Sequence, residues 1–361
     1  MTLQAEDFGL VGDGETDNTA SLIALRNAIR AGTDRVWRVD FDPGHYGYAD
    51  NRWALFGDRS VVLDFNHSTV ECFADSLLPL GAGPLVWDAE YPTPKTVANA
   101  VVPAGHLLAA EVKAGDDVAT LQTGDAFAFA PGDAVLVAGL NQQLTEDGTE
   151  TWGWPPNLAV FEWKRVAERV DGQTLRFADP FRADYWTGWP DYPSAFFGAG
   201  RSYGAPRIWR CRHDDGRQIN RSLTIQGARF VPGRNRPAGT NTALPANGLH
   251  VRLEGCETVP GVDFWPTVAG RVELGDTLLA QMEMDKLVER FRMRGGHILG
   301  SCGGGGAGVL DIAFSDATFY GFVQGTPRSW SFDNCRFFGG VHLSAGLTNT
   351  PFALSGAASQ M

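Results

Sequence analysis

Hydrophobic and polar residues alternate with three different periods along the chain. In residues 19–31 the apolar positions Leu22, Leu25 and Ile29, with Ala28 beside them, fall on one face at helical spacing. Asp17 is placed to cap the start of that helix, and Gly32 to end it as a left-handed stop. Residues 36–46 then alternate as a short strand that runs into a Pro43-Gly44 turn. Two more strand-like runs follow, at residues 60–65 and 68–72.

From about residue 80 the pattern changes. Residues 107–118 and 126–137 read as strands, and 161–170 and 173–177 flank Asp171-Gly172 as a hairpin. Residues 85–205 are therefore expected to form an antiparallel β insertion. From residue 222 a longer recurrence sets in, with strand centres at Ile225, Val251, Val272, Met293, Ile312 and Phe332. Their intervals are 26, 21, 21, 19 and 20 residues. A period of about 20 residues is that of stacked coils, each needing a neighbour to cover its apolar face. Within the repeat, residues 228–230, 295–299 and 335–338 read as the second strand of successive coils. Residues 278–287 have helical propensity, but the repeat predicts strand and turn there. The boundaries expected are 1–84 for the cap and first coils, 85–205 for the insertion, 206–345 for further coils and 346–361 for a tail.

The segment ahead of the helix is more specific. Asp7-Phe8-Gly9-Leu10-Val11-Gly12-Asp13-Gly14-Glu15-Thr16-Asp17-Asn18-Thr19 is a polar loop punctuated by glycine, and the strand after the helix closes on Pro43-Gly44-His45-Tyr46. This D-F-G-x-x-G-D-G-x-x-D-x-T arrangement resembles the N-terminal opening of the pectate-lyase-like superfamily, closest in character to phage tailspikes. Asn18 stands where that family usually has a second acid. The resemblance covers about the first 50 residues. It implies an all-β fold: a right-handed parallel β-helix, or solenoid, with an N-terminal α-helical cap, here joined by the antiparallel β insertion. It also implies that Asp13 and Asp17 are turn and cap residues.

The formal net charge of −12 argues against a nucleic-acid partner, which requires a basic surface. The five cysteines, Cys72, Cys211, Cys256, Cys302 and Cys335, lack C-x-x-C spacing and read as reduced, buried thiols. No apolar stretch has signal-peptide or transmembrane character, so no leader and no membrane insertion are expected. The histidines show no metal-ligand spacing, and no metal or cofactor is expected.

Two stretches carry candidate chemistry. Trp152, Trp154, Trp163, Trp186 and Trp189 are five of the eleven tryptophans, and Tyr185, Tyr192, Phe196, Phe197 and Tyr203 lie close by. The flanking Gly and Pro place Trp152, Trp154, Trp186, Trp189 and Tyr192 on loops, where flat rings stack on sugars. The same rings would serve equally to pin loops or to fill a subunit interface. Directly after them come Arg207, Arg210, Arg212, His213, Asp214, Asp215 and Arg217. Arg210 and Arg212 are candidate glycan contacts. Asp214, Asp215 and His213 are candidate catalytic residues, since glycoside cleavage needs placed carboxylates and β-elimination needs a base and a cation. Adjacent acids in a strand face opposite ways, so Asp214 and Asp215 suit one catalytic acid with a neighbour better than a pair. Glu283, Asp285, Lys286 and Arg290 read as a solvated face, and Gly303 to Gly306 as a turn rather than a phosphate loop. Apart from Asp214-Asp215, the N-T-D, D-D, G-H-G and R-I-K motifs of the family's polygalacturonases are absent, so the resemblance transfers no catalytic residue.

Two functions follow as expectations. The first is a polysaccharide-binding spike or fibre of a phage or phage-derived particle, with or without depolymerase activity of its own, made in the cytoplasm and displayed on the virion. Its partners would be a cell-surface polysaccharide, further copies of itself (a trimer by family analogy) and other virion proteins. The second is an exported polysaccharide lyase or glycosidase.

Overall fold

The computed structural model describes residues 1–73, 76–78, 106–140, 159–187, 192–193, 202–203, 206–212, 217–246, 248–266, 268–284, 287–304, 309–325, 329–343 and 352–355. The chain divides into two units, residues 1–80 with 220–361, and residues 81–219.

The first unit is a right-handed parallel β-solenoid. Each later coil has a long strand, a two-residue turn, a two-residue strand and a third strand in a separate parallel sheet, as in Gly248–Glu254, Glu257–Thr258 and Val262–Phe264. The inward face of the long strands carries two columns. Val61, Leu223, Val251, Val272, Phe291, Ile312 and Trp330 form one, and Leu63, Ile225, Leu253, Leu274, Met293, Phe314 and Phe332 the other. All fourteen are buried. Each such side chain contributes roughly 1.5–3 kcal/mol of transfer free energy. The strand centres read from sequence were drawn from both columns. From Leu223 onward, either column is spaced 28, 21, 19, 21 and 18 residues.

Left-handed residues make the turn after each long strand: Gly255, Asp276, Gly295, Asp316 and Asn334. The N–H groups of Gly255, Asp276, Gly295 and Asp316 bond to the next coil, and Asn334 Nδ2 donates to Asp316 Oδ1 at 2.6 Å. The core changes character toward the C-terminal coils. There Phe314 stacks on Phe332 (5.3 Å, 9°) and Phe319 on Phe337 (4.9 Å, 6°).

Helix Thr19–Ala31 buries Leu22, Leu25 and Ile29 in the core of this unit. Asp17 Oδ1 accepts the Thr19 N–H at 3.0 Å and the Ala49 N–H at 3.2 Å. Gly32 is extended (φ −69°) rather than left-handed, which corrects the expected stop. A methyl there would lie 2.2 Å from the Trp37 ring, so close packing rather than a turn calls for glycine. The segment expected to be a tail is also corrected, since Phe352–Ser355 pairs in parallel with Ser329–Asp333 as a further rung. That run of four residues is too short to show a period in sequence. Residues 278–287 hold strands Leu278–Leu279 and Gln281–Glu283, as the repeat predicts.

Asp13 ties the opening loop together. Its carboxylate accepts the N–H groups of Thr16 and Glu15 (2.8 and 2.9 Å) and the Thr16 hydroxyl. These bonds, the Thr16 N–H foremost, lower its pKa from 3.8 to about 2. A depressed carboxylate stabilises the fold above its unfolded value and loses that contribution as pH falls toward about 2. The Glu15 and Thr16 amides are thus expected to lose hydrogen-exchange protection across this window. Asp13→Ala should remove the pH dependence, and unchanged protection would refute the role.

The second unit contains a six-stranded sheet including the antiparallel ladder Arg207–Cys211, Ala134–Leu140, Ala159–Arg169, Thr174–Phe177 and Val118–Thr120. The Asp171-Gly172 hairpin is present, closed by Asp171 Oδ1 accepting the N–H groups of Gln173 and Thr174. Strand Arg207–Cys211, placed with the later coils by the sequence boundary, pairs inside this sheet. Residues 107–118 are strand only at their ends, and 125–128 form a short 3-10 turn. The five cysteines are buried and in no disulfide, and burial pushes the Cys256 thiol up to about 12. Among the described residues no helix is long and apolar enough to cross a membrane.

Candidate functional site

Of the residues predicted to meet sugar, Trp186 directly follows a segment fixed by a buried ion pair. Glu162 and Lys164 alternate with core residues on strand Ala159–Arg169, and both are 3% exposed. Lys164 Nζ lies 2.8 Å from Glu162 Oε2, donates to the Pro180 carbonyl at 2.5 Å and sits 4.8 Å from the Phe181 ring centre. Glu162 Oε1 accepts the N–H groups of Arg182 and Ala183 at 2.9 Å, and the Tyr185 hydroxyl lies 3.4 Å away. Residues 180–185 are thereby clamped, and the half-buried Trp186 follows.

The predicted arginines have protein partners. Arg210 donates to the Ala128 carbonyl at 2.6 Å, and Arg212 to Asp133 Oδ1 at 2.8 Å, where the Asp133 side chain is fully buried. The backbone of Tyr192 pairs with that of Tyr203. Trp152, Trp154, Trp189, His213, Asp214 and Asp215 lie outside the described residues.

The solenoid offers a surface that the sequence reading did not single out. After the short second strand of each late coil comes one outward apolar residue: Leu299, Tyr320 or Phe338, exposed by 44%, 48% and 69%. Their inward neighbours Ile298, Phe319 and Phe337 occupy the core, so strand alternation sends these side chains to water. Tyr320 and Phe338 stack, with ring centres 5.2 Å apart and planes 11° apart. Phe322 is 42% exposed near by in sequence. Gly300, Gly321 and Gly339 follow in register, bringing the backbones of neighbouring coils together. On the outward face of the second strands stand His297, Thr318 and Arg336, with His297 5.9 Å from the Tyr320 ring. On the third strands Gln324 and His342 are paired in register and exposed. An apolar ring ladder edged by hydroxyl, imidazole, amide and guanidinium groups can take the CH face of a sugar and bond its hydroxyls. Its sequence signal is an apolar pair ahead of a glycine (Ile298-Leu299-Gly300, Phe319-Tyr320-Gly321, Phe337-Phe338-Gly339), recurring with the coil period.

A polar cluster elsewhere in the solenoid has a different character. Glu71, 5% exposed, bonds Arg234 through both oxygens (2.9 and 2.8 Å) and His45 Nε2 at 3.0 Å. Burial favours the neutral form, but the Arg234 bonds outweigh it and hold Glu71 below the usual carboxylate range. Such a group carries no proton to donate at neutral pH. Arg234 also meets the Gly14 carbonyl at 2.5 Å and lies 4.3 Å from the centre of the Phe73 ring, so the cluster acts as a rivet between coils.

The geometry so far defines a β-solenoid with an antiparallel insertion and an exposed aromatic ladder. Three solved phage tailspikes are similar to it in structure. They are the tailspike of Pseudomonas phage phi297 (14% identity, covering 99% of this chain and 71% of that one, TM-score 0.44), that of Pseudomonas phage LKA1 (12%, 93% and 64%, 0.38), and that of Acinetobacter baumannii bacteriophage AP22, solved with A. baumannii capsular saccharide (12%, 98% and 73%, 0.27). No family model and no curated protein matches the chain.

Proposed function

We propose that this chain is a spike or fibre protein of a phage or phage-derived particle that docks on a cell-surface polysaccharide. The observation that carries the reading is the Tyr320–Phe338 ladder, two stacked rings open to water on the solenoid wall with His297 5.9 Å from the Tyr320 ring. The tailspike-like opening motif supports the same reading. Large exposed rings cost solubility, and a sugar face or a protein partner is what would cover them. The insertion supplies a second set of rings, of which Trp186 sits on a clamped segment suited to presenting a rigid contact.

The test is capsule binding by purified variants. Tyr320→Ala with Phe338→Ala is expected to weaken binding roughly tenfold or more, on the scale of about 1–3 kcal/mol that stacking of a nucleic-acid base on an aromatic ring contributes. Trp186→Ala should weaken it by a smaller factor. Unchanged affinity together with a drop in oligomer mass would reassign the ladder to a contact between copies.

A further inference from the structure

Arginines on the outward face of the long solenoid sheet follow a pairing rule. Arg38 meets Asp40 and Asp64, Arg229 meets Glu257, Arg252 meets Glu254, and Arg271 meets Glu273. Arg292 and Arg294 break it. Both are exposed on strand Leu287–Arg294, and neither has an ion-pair or hydrogen-bond partner among the described residues. The rung neighbour of Arg292 on one side is Glu273, whose oxygens are already held by Arg271 at 2.6 Å and His250 at 3.1 Å. Its neighbour on the other side is Ala313. Arg294 lies between Gly275 and Ser315. The nearby acids of the next coils are engaged as well, Asp311 with the Ser329 hydroxyl and Asp316 with Asn334.

Two arginines spaced i, i+2 on one strand share a face, with Cα atoms about 7 Å apart. The small neighbours Ala313, Gly275 and Ser315 leave room around the fork-shaped donors, with Glu273 on the remaining side of Arg292. In a chain of net charge −12, two exposed guanidiniums with no ion pair of their own among the described residues offer charge-assisted donors to an anion from outside. Only the Gly295-Gly296 turn separates Arg294 from His297, which touches the ring ladder.

We infer that Arg292 and Arg294 form an anion subsite for the carboxylates of an acidic glycan, so that the recognised polysaccharide carries acidic sugars. This rests on the glycan-docking reading and adds the charge of the ligand. The test uses a panel of alginate, polygalacturonate and hyaluronan, each beside its carboxyl-reduced neutral form. Wild type is expected to bind an acidic polymer more tightly than its reduced form, with affinity falling as salt rises. Arg292→Ser with Arg294→Ser should lower acidic-polymer affinity roughly 10- to 100-fold, because charge-assisted bonds exceed neutral ones. It should leave the reduced polymer bound as in wild type, and melting should be unchanged. Equal binding of acidic and reduced polymers, or full affinity in the double variant, overturns the subsite while leaving glycan docking intact. Binding of no polymer in either form overturns both.

Discussion

Lys164→Met is expected to destabilise the insertion by about 3–5 kcal/mol, the cost of leaving one member of a buried ion pair without its partner. The side chains of Lys164 and Glu162 are both 3% exposed, so solvent screening does not soften the loss. Methionine fills nearly the same volume beside the Phe181 ring, and the effect is therefore one of charge rather than of packing. Glu162 would keep the N–H groups of Arg182 and Ala183 and the half-exposed Arg182 guanidinium at 3.3 Å, but it would lose its closer, buried countercharge. Replacing both residues, Glu162→Gln with Lys164→Met, should recover part of the stability, because a neutral amide tolerates the site. Urea unfolding followed by tryptophan fluorescence measures both. Wild-type stability of Lys164→Met would show that the pair does not fix residues 180–185.

The solenoid was legible because two signals agreed. The opening loop has a specific residue pattern, and the later coils repeat at about 20 residues. The exact stacking was not legible, since each long strand sends two apolar residues inward and sequence alone gives no reason to choose between Val272 and Leu274 at a given rung. The turn ladder of Gly255, Asp276, Gly295, Asp316 and Asn334 resolves the choice, because a left-handed residue must follow each long strand at one fixed position. It went unread since Gly, Asp and Asn look like three different residues until their shared backbone conformation is known. The ring ladder was hidden for another reason. Composition does not say which ring of Phe319-Tyr320 or Phe337-Phe338 faces water, whereas strand alternation allows only the first of each pair to point inward. The tryptophan-rich loops drew attention by composition. Their most conspicuous members, Trp152, Trp154 and Trp189, lie outside the described residues, so their part in sugar contact stands as a proposal beside that of the ladder.

Gly321→Ala is expected to cost about 3 kcal/mol, a large penalty for a single methyl group. The Cβ would lie 2.1 Å from the Gly300 carbonyl oxygen and 2.3 Å from its carbon, both backbone atoms of the coil below. A flexible side chain could move aside, but here two rungs would have to separate, stretching parallel strands that sit about 4.8 Å apart. The same contact recurs one coil on, where a methyl at Gly339 would meet the Gly321 oxygen at 2.1 Å. Gly303→Ala is the matched control: its nearest neighbours would be 3.7 Å away, so a near-neutral effect is expected. Thermal melting of the two variants separates backbone crowding from a general intolerance of the late coils to alanine. Because Tyr320 adjoins Gly321, the crowded variant should also displace the lower ring of the Tyr320–Phe338 stack and weaken glycan binding with it. Equal melting temperatures for Gly321→Ala and Gly303→Ala would mean that the coils part without cost, and the glycine seam could then not be what holds the ladder in place.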